Sequence, residues 1–203
     1  VFWGYKYFFL RDEFQMARPR RFEKRVHTIM LAFGGTDQHD LSRIIFRAIS
    51  SFCKEQGITI HIVTGPGYGG YDNLEAEVVA DEGAYLTHAS GIISGIMKQT
   101  QLAITSNGRT VYEFAHMNIP SIVIAQHDRE FTHAFATEEN GFIPLGLYHE
   151  EKTTTLVLSA LKRVVRGIEF RRQLYRRTTA FNFSGNKRKI VKILLQLIEG
   201  TRD

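Results

Sequence analysis

Thr105-Ser106-Asn107-Gly108-Arg109-Thr110 runs ahead of Glu113, and these residue types at this spacing suit a nucleoside diphosphate. Small hydroxyl and amide groups around a glycine, placed where a strand meets a helix, can hydrogen-bond phosphate oxygens with help from the helix dipole. Glu113 falls about one turn into that helix, where a carboxylate can accept both hydroxyls of a ribose. Helix capping by Ser106 or Asn107, with an acid in the first turn, accounts for the same letters without a ligand. Both readings stand for this stretch.

Three further stretches offer polar or glycine-rich chemistry. In Phe33-Gly34-Gly35-Thr36-Asp37, two glycines permit conformations closed to other residues and a close approach to a phosphate, ahead of a helix start with free N–H groups. The other reading is a tight turn with Thr36 or Asp37 as helix cap. The run from Gln126 through His127, Glu130 and His133 follows a strand of Val and Ile and has the density of hydrogen-bonding groups that a sugar requires. Gly65-Pro66-Gly67-Tyr68-Gly69-Gly70 follows the second strand, contains a proline, and has no acidic residue ending a following strand. It is therefore a weak dinucleotide signature and is predicted to be a flexible loop at a pocket rim.

Other chemistries find little support. No Gly-x-Ser-x-Gly elbow and no phosphate loop ending in Gly-Lys-Ser/Thr occur. The spacing of His127 and His133, without further matched ligands, argues against a metal. Acid and base candidates are isolated residues: His39, His133 and Glu130. Neither a cofactor nor a metal is expected.

The elements that must position these residues alternate between short apolar runs and amphipathic stretches, the pattern of a doubly wound parallel α/β sheet of Rossmann-like type. Strands are predicted at residues 27–33, 58–64, 84–87, 101–105, 121–125 and 142–145, with helices at 40–56, 73–79, 91–99, 109–116, 130–138, 153–166 and 184–199. In such a sheet ligands bind at the carboxyl ends of the strands, near the point where strand order reverses. The loops described above fall there.

At 203 residues, with 43% apolar and 23% charged residues, the chain is expected to hold one domain at 26–203. Residues 1–25, aromatic and then basic, do not fit the alternation and are predicted to be an interdomain linker that packs on another body. With Val1 in place of methionine, the chain is expected to be an excised piece of a longer protein. A single cysteine, Cys53, excludes a disulfide framework. Without a signal-type run or a 20-residue apolar stretch, the chain is expected to be cytoplasmic. The net charge of +5 comes from basic runs near both ends. No nucleic-acid motif accompanies them, so solvated helix faces, or a surface for an anionic substrate or a membrane periphery, explain them better.

Taken together, these residues resemble the C-terminal domain of glycosyltransferase family 28 (GT-B type) and its hydrolase relatives, in particular the pseudaminic-acid-pathway UDP-sugar hydrolases and the spore-coat polysaccharide biosynthesis proteins. The resemblance runs from about Tyr5 to the last helix. It is carried by the segment from Tyr5 to Phe14, by Phe33 to Asp37, by Ala103 to Glu113, and by Ile124 to Glu130 with His133. It implies that Gly34, Gly35, Thr36, Ser106, Asn107, Gly108, Arg109 and Thr110 face the diphosphate and that Glu113 binds the ribose. It also implies that His88, Ala89 and Ser90 meet the uracil edge through their backbone, and that Gln126, Glu130 and His133 face the sugar. This sequence departs from the family at Gln101, where relatives often carry Asp, and at Glu130 and His133, which replace amides.

The family's catalytic base lies in an N-terminal domain ahead of the linker. The resemblance therefore implies that this chain binds UDP or a UDP-sugar without turning it over, and that the parent enzyme hydrolyses the sugar–diphosphate bond or transfers the sugar. A binding-only nucleotide-sugar module and an NAD-type oxidoreductase domain are the competing classes; a longer gene product separates the first, ligand choice the second.

Overall fold

The computed structural model describes residues 4–88 and 91–199. Ala89 and Ser90, expected beside the base, lie outside the described residues. Six strands, β1 (Thr28–Ala32), β2 (Thr59–Thr64), β3 (Ala84–His88), β4 (Leu102–Ser106), β5 (Ser121–Ala125) and β6 (Phe142–Leu147), form one parallel sheet in the order β3-β2-β1-β4-β5-β6. The order reverses between β1 and β4, so the carboxyl ends of these two strands open the crevice of a Rossmann-like fold. Helices α1 (Leu41–Gln56), α2 (Tyr71–Val79), α3 (Ser94–Gln99), α4 (Thr110–His116), α5 (Asp128–Phe131), α6 (Thr153–Arg166), α7 (Ile168–Thr178) and α8 (Asn186–Glu199) complete the chain.

Side chains alternate across a strand, and in a sheet covered on both faces each parity feeds its own core. Ile29, Leu31, Leu102, Ile104, Ile122 and Ile124 pack on one face with α1 and α6. Met30, Ala32, Ala103 and Val123 pack on the other with Met97 of α3, Phe114 of α4, and Phe135, Phe181 and Phe183. Both parities are apolar, which explains why these strands read as near-continuous hydrophobic runs. Pro144 sits in β6 at the sheet edge, where a missing N–H is tolerated.

Two helices differ from the expectation. The helix predicted at 130–138 closes after Phe131, because the carbonyls of Glu130 and His133 accept the Asn107 amide at 2.8 and 3.0 Å instead of continuing a helical ladder. The chain then turns Phe135 and Ala136 into the core and ends in a 3-10 turn, Glu138–Asn140. In the other case, α7 appears where no helix was predicted. Its core-facing anchor is charged: Arg171, 2% exposed, donates to the carbonyls of Val164 and Val165 at the end of α6 and to that of Lys24. Hydrophobic periodicity cannot register such a residue.

Residues ahead of β1 lie against this same domain. Two 3-10 turns, Tyr5–Tyr7 and Asp12–Phe14, carry Leu10 and Phe14 into the core beneath α4. His116 at the end of α4 bonds the Phe14 carbonyl through Nε2 at 3.1 Å, and its Nδ1 accepts from the Phe183 amide at 3.4 Å. The N-terminal and C-terminal segments thus meet on one buried imidazole.

Candidate functional site

At the β1/β4 switch point lies a cleft of about 310 Å³. Gly34 and Gly35 form one wall, Thr64 and Gly65 a second, and Arg109, Thr110 and Glu113 a third, and the lining includes Phe8, Leu10 and Arg11 of the N-terminal segment and Ile93. Five of the residues assigned to the diphosphate and ribose are therefore brought together on one surface.

The first wall exists because glycine does. Gly34 has φ +86°, in the left-handed region where a side chain is strained. A Cβ on Gly65 would fall 2.4 Å from the Gly35 Cα, and the Gly67 amide donates to the Gly35 carbonyl at 3.0 Å. The loop at 65–70 is thus packed against the first turn. Its rim position agrees with the sequence reading, but it is tethered, not loose, and the Tyr68 hydroxyl also donates to Asp40.

Asp37 changes the expected role of the α1 start. Its carboxylate, 5% exposed, accepts from the amides of Leu41 at 2.8 Å and Ser42 at 2.7 Å. Helix donors expected to be free for a phosphate are filled from within the chain. Burial pushes the Asp37 carboxyl above its usual range, opposed by those N–H bonds. What remains for an anion is the turn itself: the amides of Gly34, Gly35 and Thr36 donate to nothing among the described residues. Thr36 is exposed and outside the cleft lining.

On the β4 side no side chain caps α4, and the amides of Gly108 and Arg109 have no acceptor among the described residues. Arg109 is exposed at the mouth, its guanidinium 5.6 Å from the centre of the Phe8 ring. Glu113 is 7% exposed; its Oε1 accepts from Arg11 Nε at 3.0 Å. Burial raises the Glu113 carboxyl, Arg11 and Arg109 pull it down, and Glu13 pushes it up.

Ser106, Asn107 and Gly108 build the wall without lining the cleft. The Asn107 amide nitrogen bonds the carbonyls of Glu130 and His133, leaving its buried oxygen without a partner among the described residues. A Cβ on Gly108 would meet Glu130 Oε1 at 3.3 Å, so glycine here makes room for that carboxylate. The residues assigned to the sugar lie on the β5 side. Gln126 donates its amide to the Phe33 carbonyl, Glu130 accepts from the Gln126 backbone at 2.9 Å, and His133 Nδ1 donates to the Asn107 carbonyl at 2.7 Å. These contacts lock the β1, β4 and β5 loops together. His127 caps α5, its Nδ1 accepting from the Glu130 amide.

His88 ends β3, exposed, with its ring against Tyr71 and Nδ1 on Thr64 Oγ1 at 2.9 Å. His39 lies against Tyr148, and no hydrogen bond among the described residues joins it to Glu130 or His133. Gln101 precedes β4 at the opposite end of the sheet, where Oε1 accepts from the amides of His27 at 2.9 Å and Thr28 at 2.7 Å. The departure expected at Gln101 therefore bears on the start of β1, away from the cleft. Cys53 is buried, its thiol pushed up to about 12, and belongs to the core. Arg11 is, with Phe8, Leu10, Thr64 and Ile93, among the cleft residues that sequence reasoning missed, and nothing local announces its pairing across 102 positions.

This geometry defines a Rossmann-like α/β domain with a crevice at its switch point. No family model matches the chain. In sequence it is similar to an uncharacterised protein of Methanocaldococcus jannaschii, at 29% identity over 63% of this chain and 27% of that protein. It is also similar to the spore coat polysaccharide biosynthesis protein SpsG of Bacillus subtilis, at 22% identity over 87% of this chain and 52% of that protein. The chain thus spans about half or less of the curated relatives it matches. Among solved structures it superposes on MurG of Acinetobacter baumannii with a TM-score of 0.66 at 12% identity, covering 90% of this chain and 55% of that one. A UDP-GlcNAc 2-epimerase of Neisseria meningitidis, bound to UDP-GlcNAc, gives 0.62 at 10% identity, covering 84% and 45%. The α/β Rossmann-like fold thus matches part of these GT-B glycosyltransferase and UDP-GlcNAc 2-epimerase structures.

Proposed function

We propose that the cleft binds the UDP part of a nucleotide sugar, and that the chain is the C-terminal, donor-binding half of a UDP-sugar hydrolase or glycosyltransferase. The observation that carries this reading is the convergence, at the β1/β4 switch point, of two turns with open backbone amides and one buried carboxylate. Amides of Gly34, Gly35 and Arg109 with the Arg109 cation suit two phosphates; Glu113 suits a ribose. The chain's place in this reading is surface polysaccharide or sialic-acid-like sugar biosynthesis, the first of which the likeness to SpsG favours. The bound UDP-GlcNAc of the epimerase neighbour favours the same ligand class.

In this reading the partner is an N-terminal Rossmann-like domain that supplies the catalytic base, and the present chain alone binds without turnover. Gln126, Glu130 and His133, through the loop they brace, set the sugar side of the site.

A thermal-shift series with UDP, GDP, CDP and NAD tests this reading. A ligand that binds only the folded state adds about 2.7 kcal/mol at a hundredfold excess over its dissociation constant. UDP is expected to raise the melting temperature; stabilisation by NAD and by none of the nucleoside diphosphates would overturn the proposal.

A further inference from the structure

Arg11 reaches the cleft from the segment ahead of β1 and makes three separate contacts there. Nε donates to Glu113 Oε1 at 3.0 Å, Nη1 donates to the Gly91 carbonyl at 3.1 Å, and Nη2 pairs with Glu13 Oε1 at 3.1 Å. Glu13 in turn accepts from the amides of Ile93 at 2.9 Å and Ser94 at 2.7 Å through Oε2, holding the start of α3. One guanidinium therefore ties the carboxylate on α4 to the loop between β3 and α3. Its planar fork fixes direction as well as charge, which a lysine ammonium cannot do.

We propose that Arg11 is the positioning residue for Glu113, holding that carboxylate ionised and oriented so that its free acceptor sites meet a nucleotide ribose. Oε2 makes no hydrogen bond among the described residues, and Oε1 retains a second lone pair beside the Arg11 bond. Without a cation against it, a carboxylate this buried is driven toward its protonated form, in which one of its acceptor oxygens becomes a donor. The other charged groups facing Glu113 are Glu13, which opposes ionisation, and Arg109, which favours it more weakly than Arg11. The proposal rests on the nucleotide reading of the cleft. It adds that the segment ahead of β1 belongs to the binding machinery.

The test titrates the chain with UDP from about pH 5 to about pH 8, using wild type, Arg11→Met, Arg11→Lys and Glu113→Gln. Opposite charges shift a carboxylate by one unit or more, so Arg11→Met is expected to lose about tenfold in UDP affinity at the acidic end and to recover as pH rises. Arg11→Lys is expected to keep the wild-type pH midpoint with weaker binding, because the charge remains and the fork is lost. In a Glu113→Gln background, Arg11→Met is expected to move no midpoint. A loss that is equal at every pH would make Arg11 a direct phosphate ligand and overturn the positioning role, as would an unchanged profile. Should Arg11→Met not fold, the pH midpoint of Arg11→Lys and the double variant Arg11→Lys with Glu113→Gln decide the matter. Failure of wild type to bind UDP at any pH would instead overturn the nucleotide reading itself, and this proposal with it.

Discussion

The two turns at the switch point solve the same problem in opposite ways. After β1, the chain supplies its own anion: Asp37 folds back onto the first amides of α1 and seals the helix start. After β4, Arg109 stands at the N-cap without a side-chain bond, and the start of α4 is left open toward the cleft. A helix start satisfied by an internal carboxylate contributes rigidity, whereas one left open contributes donors to a ligand. The β1 turn is therefore a scaffold whose two glycines still present backbone, and the β4 turn with Glu113 is where the proposed ligand contacts concentrate.

Removing the seal gives the largest expected change in stability. Asp37→Ala strands two buried amides that were bonded to a charge, a loss of about 1.5–3 kcal/mol. Sulfate is expected to restore part of that loss in the variant by occupying the vacated amides, and to give wild type no comparable gain. Denaturant melts with and without sulfate check this. An Asp37→Ala variant as stable as wild type, or one blind to sulfate, would erase the contrast between the turns.

A smaller effect is expected at the far end of α4. Burial holds His116 below its ordinary value of 6.5, with Nε2 bonding the Phe14 carbonyl and Nδ1 accepting from the Phe183 amide. Because the unfolded state binds the proton more readily, this contribution is present above about pH 6.5 and is lost as pH falls below it, at up to about 1.4 kcal/mol per pH unit. His116→Gln is expected to flatten that part of the stability profile while leaving UDP affinity near neutral pH unchanged. A variant that keeps the wild-type slope would show that the helix is not anchored by this imidazole.

The same contrast explains what could be read from the sequence. Runs such as Ile122-Val123-Ile124 announce strands buried on both faces, and β5 falls at the residues expected. Glycine pairs announce turns, and Gly34, Gly35, Arg109, Thr110 and Glu113 converge on one cleft. What escapes is decided by partners distant in sequence. Asp37 reads equally well as cap or ligand neighbour until its two amides are seen. Arg171 looks like a surface charge, yet it anchors α7 as a buried donor to carbonyls of α6 and of Lys24. Helix α5 is cut short by Asn107, more than twenty positions away. Arg11 belongs to a segment that reads as linker, and its contact with Glu113 appears only when the two are placed side by side in the fold.

The account turns on Glu113, and one comparison reaches it most directly: calorimetric titration of wild type and Glu113→Gln with UDP and with 2′-deoxy-UDP. Hydrogen bonds to a charged group contribute about 1.5–3 kcal/mol, so Glu113→Gln is expected to lose about tenfold or more in UDP affinity with little change in melting temperature. Removal of the 2′-hydroxyl is expected to cost wild type more than the variant, because the partner of that hydroxyl is already weakened in Glu113→Gln. Equal losses in both proteins, or unchanged UDP binding by Glu113→Gln, would contradict the account and leave Glu113 a buried partner of Arg11 alone.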